Sequence, residues 1–110
     1  MIAEGIQKVA GAYLIYKDNN VIYVGETDNL VRRLVGDIGR YKTKEGKIEL
    51  FHSLNRHVRD KHPSLTAEEI IKKIEEDYLF SYMGTSKDMA VAVEGILIKH
   101  FRKTGFLINK

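Results

Sequence analysis

A chain of 110 residues, 44% of them hydrophobic, has the size of one domain over residues 1–110 with a core of its own, and excludes both two domains and wholesale disorder. No apolar run approaches the roughly 18 residues that span a bilayer, the N-terminus MIAEGIQKVAG lacks the plan of a signal peptide, and the absence of cysteine excludes disulfides and thiolate metal sites. A cytoplasmic protein with no membrane partner is expected, and the net charge of +3 leans towards anionic partners without specifying one.

Residues Ile2 to Val9 are expected to form one or two helical turns leading into a strand. Ala12 to Tyr16 is an aromatic and β-branched run. Lys17-Asp18-Asn19-Asn20 interrupts it with residues that tolerate positive φ, and a second run, Val21 to Val24, stops at Gly25. The pattern predicts a β-hairpin. Strand parity puts Tyr13 and Ile15 on one face and Ala12, Leu14 and Tyr16 on the other. A three-residue turn, Asp18 to Asn20, would set Tyr13 across from Gly25 and on the face of Tyr23; a two-residue turn would separate the tyrosines.

After Gly25 the period becomes helical. Thr27 or Asp28 can cap a helix from about Asp28 to Gly39, with Leu30, Val31, Leu34, Val35 and Ile38 on its apolar side. Arg32 and Arg33 fall on opposite flanks of that stripe, and Asp37 stands at i+4 from Arg33, where a weak ion pair is allowed. Arg40 to Lys47, RYKTKEGK, reads as a basic loop that either contacts a phosphate backbone or is simply solvated. Ile48 to His62 reads as a helix that Pro63 stops, with Arg56, His57, Arg59, Lys61 and His62 on its polar side. Thr66 and Glu69 form a capping-box pattern for an acidic helix ending near Asp77. Tyr78 to Met83 reads as a third strand, and a last helix runs from Ser86 or Asp88 to about Lys103. The expected fold is α/β (α+β): a small, mostly antiparallel three-stranded sheet with helices packed around it.

Glu94 interrupts the apolar face of the last helix, between Ala90, Leu97, Ile98 and Phe101 on the helical wheel. An unpaired ion in a core costs several kcal/mol. Three readings follow: a buried salt bridge to an arginine, a stripe edge where the carboxylate stays partly wet, or a metal ligand. The histidines do not form a metal set, since His52, His57 and His62 recur every five residues and scatter around a helix. Neither a phosphate-cradling glycine loop nor a nucleophile elbow is present.

Gly11-Ala12-Tyr13 and Tyr23-Val24-Gly25, with ten residues from tyrosine to tyrosine and ten more to Arg33, resemble the paired signature and helix arginine of the GIY-YIG nuclease family. Glu94-Gly95-Ile96-Leu97-Ile98-Lys99 resembles the family's metal-holding glutamate and the stretch behind it. Asn109 is similar to the asparagine that closes the domain, although Lys103 to Ile108 makes a longer link than usual. The resemblance implies metal-dependent hydrolysis of a DNA phosphodiester. Glu94 would hold Mg2+ or Mn2+ at the scissile phosphate, Arg33 would offset phosphate charge, and Tyr13 or Tyr23 would help activate water. It further implies nucleic-acid contacts at Gly25, where substrate would approach the sheet, and at Arg32, Arg40, Lys42 and Lys99. Asn109 would hydrogen-bond locally and brace the site. A targeting protein or domain is expected, because such nucleases usually borrow their choice of DNA, branched, damaged or otherwise.

Two positions depart from the family's pattern. Glu26 adds negative charge beside the phosphate, and Asp37 stands where relatives carry histidine or tyrosine, a group that Tyr41, His52 or His57 would have to replace. These departures keep two other readings open: a nucleic-acid-binding domain that has lost cleavage, and a protein-interaction module using the acidic helix Ala67 to Asp77.

Overall fold

A computed structural model describes residues 9–37 and 52–109, the side chains of 35–37 excepted. The turns expected over Ile2 to Lys8, the loop carrying Arg40, Tyr41 and Lys42, the helical segment Ile48 to Phe51 and the side chain of Asp37 lie outside the described residues. Strands β1 (Gly11–Lys17), β2 (Asn20–Thr27) and β3 (Leu79–Gly84) form one antiparallel sheet in the order β2-β1-β3. Between and after them come a π-helix (Arg32–Asp37) and the helices α1 (Ser53–Lys61), α2 (Ala67–Asp77) and α3 (Lys87–Arg102). The expected α+β sheet with flanking helices is what the chain forms.

The hairpin reaches the expected facing of the tyrosines by another route. Asp18 and Asn19 both have positive φ, 51° and 67°, and Lys17 faces Asn20, so the turn has two residues, both left-handed, the geometry that matches strand twist. The odd residue comes from a bulge. Tyr16 faces Val21 while Ile15 faces Tyr23, which leaves Ile22 unpaired. Beyond the bulge Tyr13 faces Gly25. The three-residue turn is therefore corrected, and its consequence for the tyrosines stands.

Alternation along β1 sorts the helices. Tyr13 and Ile15 enter a core built with Leu30, Leu34, Leu54, Val58, Ile70 and Ile74 from the π-helix region, α1 and α2. Burying one such aliphatic side chain contributes about 1.5–3 kcal/mol. Helix α3 packs against β1 and β2, with Ala90 as its buried contact. The last residues return to the hairpin, where the Ile108 N–H donates to the Ile22 carbonyl at 2.7 Å.

Helix starts follow side-chain oxygens or nitrogens aimed at free N–H groups. Thr66 and Glu69 complete the expected capping box: the Glu69 N–H donates to Thr66 Oγ1 at 3.2 Å and the Thr66 N–H to Glu69 Oε1 at 2.9 Å. Ser86 caps α3 by accepting from the Met89 N–H. Two starts differ from expectation. Asn29, not Thr27 or Asp28, caps the segment that becomes the π-helix, its Oδ1 accepting from the Arg32 N–H at 3.0 Å; Thr27 instead closes a local turn onto Asn29. The helix expected to run through His52 begins after it. His52 has extended backbone, φ −81° and ψ 150°, and its Nδ1 accepts from the Leu54 N–H at 3.0 Å.

Candidate active site

Tyr13 and Tyr23 stand on one face of the hairpin, their rings stacked at 6.1 Å between centroids and 23° between planes. Tyr13 is 2% exposed, whereas Tyr23 is half-buried and opens onto a cleft. Gly25 is explained by this stack. A Cβ there would lie 2.3 Å from Tyr13 Cζ and 2.4 Å from its Oη. The space expected to admit substrate over Gly25 is thus filled by the Tyr13 ring, and Gly25 serves the tyrosine.

Behind the stack is His52, 2.9 Å from Tyr13 Oη through Nε2 and edge-on to Tyr23 at 4.6 Å. Burial, reinforced by the charges of Arg33 and Arg56, pushes its pKa down to about 3, so the ring is neutral. Because Nδ1 accepts from a main-chain N–H, the proton sits on Nε2, which donates to the Tyr13 hydroxyl. Of the groups weighed for the place left by Asp37, Tyr41 lies outside the described residues, and of the two described, His52 is the one in contact with both tyrosines. Nothing in its periodicity marks it out; the signal is tertiary.

Burial raises the pKa of both tyrosines, and the Arg33 guanidinium opposes it at both. Tyr13 rises further through Tyr23, while the Ser53 and Tyr13 hydroxyls pull Tyr23 down. His52 thus donates to the Tyr13 hydroxyl, and Tyr13 in turn lowers the Tyr23 pKa. Arg33 lies in the π-helix, with its Nε out of solvent; such wide turns recur at functional sites.

Glu94 sits on α3 at the edge of the same cleft, half-buried. Its pKa is raised by desolvation first and by the Glu26 carboxylate second, against the pull of Lys87 and of the Glu26 main-chain N–H. This is the partly wet stripe edge. Glu26 is ion-paired to Lys87, two helical turns before Glu94, so the charge that departs from the family's pattern is met by a cation. Lys87 carried no warning in the sequence, because its partner lies 61 residues away.

The cleft, about 640 Å³, is lined by Tyr23 of β2, by Ser53, Arg56, His57, Arg59 and Asp60 of α1, by Glu94 and Ile98 of α3, and by Ile108 and Asn109 after it. Asn109 brackets Val24: its Nδ2 donates to the Val24 carbonyl at 2.7 Å and its Oδ1 accepts from the Val24 N–H at 3.0 Å. The expected bracing is present, but it is long-range and acts as a one-residue extension of the sheet beside Tyr23. Other expected contacts lie elsewhere. Arg32 is exposed and paired with Asp28 at 2.6 Å, Lys99 is exposed on α3, and neither lines the cleft. Arg40 and Lys42 lie outside the described residues.

Among the described residues, no three acidic or histidine side chains are grouped as a metal cage. The donors do suit a hard cation bound through few protein atoms: Glu94 is a half-buried carboxylate lining the cleft, its charge disfavoured by desolvation first and by Glu26 second, and a divalent ion there would offset that cost. Mg2+ and Mn2+ accept such a site, completing their shell with water and phosphate oxygens. No helix among the described residues is long and apolar enough to cross a membrane. No protein-family model matches the chain, and no curated protein matches it.

Proposed function

We propose that this protein is a GIY-YIG-type endonuclease that hydrolyses DNA phosphodiester bonds with Mg2+ or Mn2+. The observation that carries the reading is the convergence on Tyr23, in the cleft lining, of Arg33 from the π-helix and Glu94 from α3, each of which shifts the Tyr23 hydroxyl. Tyr23 and Glu94 line one cleft and Arg33 is close enough to act on the Tyr23 hydroxyl; a hydroxyl, a carboxylate and a neighbouring cation are parts that phosphodiester hydrolysis needs.

In this reading Tyr23, not Tyr13, meets the attacking water. It lines the cleft, while Tyr13 is buried behind it. Burial raises the Tyr23 pKa on balance, while Arg33 and the Ser53 and Tyr13 hydroxyls work against it, so Tyr23 orients the water as a neutral hydroxyl and would accept its proton only with the charge of a bound divalent cation added. Arg33 offsets the charge that grows on the phosphate. Glu94, with Glu26 beside it, would hold the divalent cation, which when bound supplies Lewis-acid charge at phosphate oxygens. The Lys87–Glu26 pair supports activity over a silent binding domain, since it offsets the extra carboxylate.

The test is incision of supercoiled plasmid and branched DNA with Mg2+ or Mn2+, comparing the wild type with Glu94→Ala and Arg33→Ala. Metal-dependent nicking lost in both folded variants is expected. Salt-sensitive DNA binding with no incision by the wild type would replace the nuclease with the binding domain.

A further inference from the structure

The sheet has two edges, and the chain treats them differently. Along β2, Asn109 takes both main-chain groups of Val24, and Ile108 bonds to Ile22. At the other edge β3 is the outer strand. The Thr85 N–H donates to the Ala10 carbonyl, and strand alternation from there turns the N–H and carbonyl groups of Phe80, Tyr82 and Gly84 away from β1, to the open edge. Outer strands are ordinarily protected by charge, proline or a bulge. Here Tyr78 to Ser86 carries no charge and no proline, and the register of β3 on β1 is unbroken. The side chains are open as well. Leu79, Ser81 and Met83 share the face of Ala12 and Leu14, which α3 overlies. Leu79 is 71% and Met83 45% exposed, and Met83 borders an apolar groove with Val93 and Leu97 of α3.

The charges that bound this run select the occupant. Asp77 precedes it and Lys87 follows it. Two copies of β3 paired antiparallel therefore meet with opposite charges at each end, whereas a parallel pair would set like charges together. Asp77 and Lys87 also have partners within the chain, Lys73 and Glu26, so the ends supply orientation more than affinity. We propose that β3 pairs with β3 of a second copy, antiparallel about a two-fold axis at Ser81. With Ser81 across from itself, Phe80 exchanges main-chain hydrogen bonds with Tyr82 of the second copy, and Gly84 with its Tyr78, so every outward group finds a partner. On the α3 face, Leu79 comes beside Met83 of the second copy, at the open side of the groove. The contact is isologous, and main-chain bonds supply much of it, as in other strand additions. The Tyr23 cleft lies on the β2 side of the sheet, away from this edge. Pairing leaves both clefts open, and the inference does not depend on what they do.

The experiment measures the mass of the whole protein by light scattering over a concentration series, with an added cysteine to report the register. At the upper end of the series the mass should be twice the 12.6 kDa of the chain. Leu79→Lys sets a charge where Met83 of the second copy should lie. Leu79 is mostly exposed, so far-UV circular dichroism should show a folded protein, while the dissociation constant rises about 10-fold or more. Leu79→Met should leave the dimer in place. Ser81→Cys adds one thiol to a chain that has none. Opposed residues of a non-hydrogen-bonded antiparallel pair stand about 4.5 Å apart at Cα, within reach of a disulfide. Mild oxidation should therefore link two Ser81→Cys chains far faster than two Lys72→Cys chains, whose thiol lies exposed on α2. A monomer at every concentration overturns the inference. Slow hydrogen exchange at the Phe80 and Tyr82 amides of that monomer would mean that the chain covers its own edge, and fast exchange that the edge stays open. A dimer indifferent to Leu79→Lys, or one in which Ser81→Cys links no faster than Lys72→Cys, overturns it too, by placing the contact elsewhere.

Discussion

Tyr13 and His52, 39 residues apart in the chain, are joined at 2.9 Å in the core, and His52 also caps α1 through its other ring nitrogen. One side chain thus starts a helix and sets the direction of a hydrogen bond to the hairpin. The two duties separate by mutation. His52→Asn keeps a cap acceptor but cannot reach Tyr13, and should cost about 1–3 kcal/mol for the buried hydroxyl left without its donor. His52→Ala loses the cap as well, and should cost about 1 kcal/mol more. Urea denaturation of the two variants gives the difference; equal losses would remove the capping role.

The same ring makes stability depend on pH. Its folded pKa is about 3 against an ordinary value of 6.5, so between these values the unfolded chain binds a proton that the folded protein refuses. The stability it permits is fully present above 6.5 and falls as pH drops towards about 3. The steepest slope is about 1.4 kcal/mol per pH unit. Denaturation midpoints from pH 7.5 to 4.5, about the range a single histidine governs, should fall in the wild type, and His52→Asn should lack that component of the slope.

Gly25→Ala should destabilise by about 1–3 kcal/mol, the cost of overpacking, because its Cβ would meet the Tyr13 ring 2.3 Å away. Truncating the ring removes the obstacle. In a Tyr13→Ala background the added methyl should cost much less, and a double-mutant cycle should show coupling between the two positions. Additive effects would mean that Gly25 is required for something other than Tyr13.

What could be read from the chain follows the range of the interactions. The capping box at Thr66, the caps and ends of α2 and α3, and the three strands depend on residues a few positions apart, and the patterns predict them. The bulge at Ile22 is less local. It forms where the core face of β2 must hold both Tyr23 and Ile22, and hairpin statistics alone favour the simple turn. Lys87 and Arg56 carry no site signal in the sequence, and His52 stands there only as one of three candidates with Tyr41 and His57, because each gains its role from a partner brought in by the fold. Periodicity over Ile48 to His62 gives His52 an ordinary place inside a helix, whereas α1 begins at Ser53 with His52 as its cap. Glu94 was legible for the opposite reason: a carboxylate inside an apolar stripe contradicts its own surroundings, whatever it faces.

Asn109 replaces a strand residue at the open edge of β2. Asn109→Ala leaves the N–H and carbonyl of Val24 without partners, a loss of about 1–3 kcal/mol. Asn109→Asp keeps the acceptor but sets a carboxylate oxygen against the Val24 carbonyl, so it should be no better than alanine. Thermal unfolding ranks the variants, and an aspartate variant as stable as wild type would show that the Val24 carbonyl does not depend on the side-chain amide.

The tyrosines should differ in what they contribute to incision. Tyr23 borders the cleft, and the Ser53 and Tyr13 hydroxyls lower its pKa against burial; Tyr13 is buried and accepts from His52. Tyr23→Phe removes the group beside the water and should lower the incision rate about 100-fold or more, the usual scale for loss of a proton-transfer group. Tyr13→Phe removes one of several influences on Tyr23, so its effect on rate should be clearly smaller, about 10-fold. It should instead show in stability, because the buried His52 Nε2–H loses its acceptor at a cost of about 1–3 kcal/mol. Single-turnover incision and urea denaturation on the same two proteins separate these effects. A Tyr13→Phe protein as slow as Tyr23→Phe, yet equally stable, would place the reacting hydroxyl on β1 and reverse the assignment.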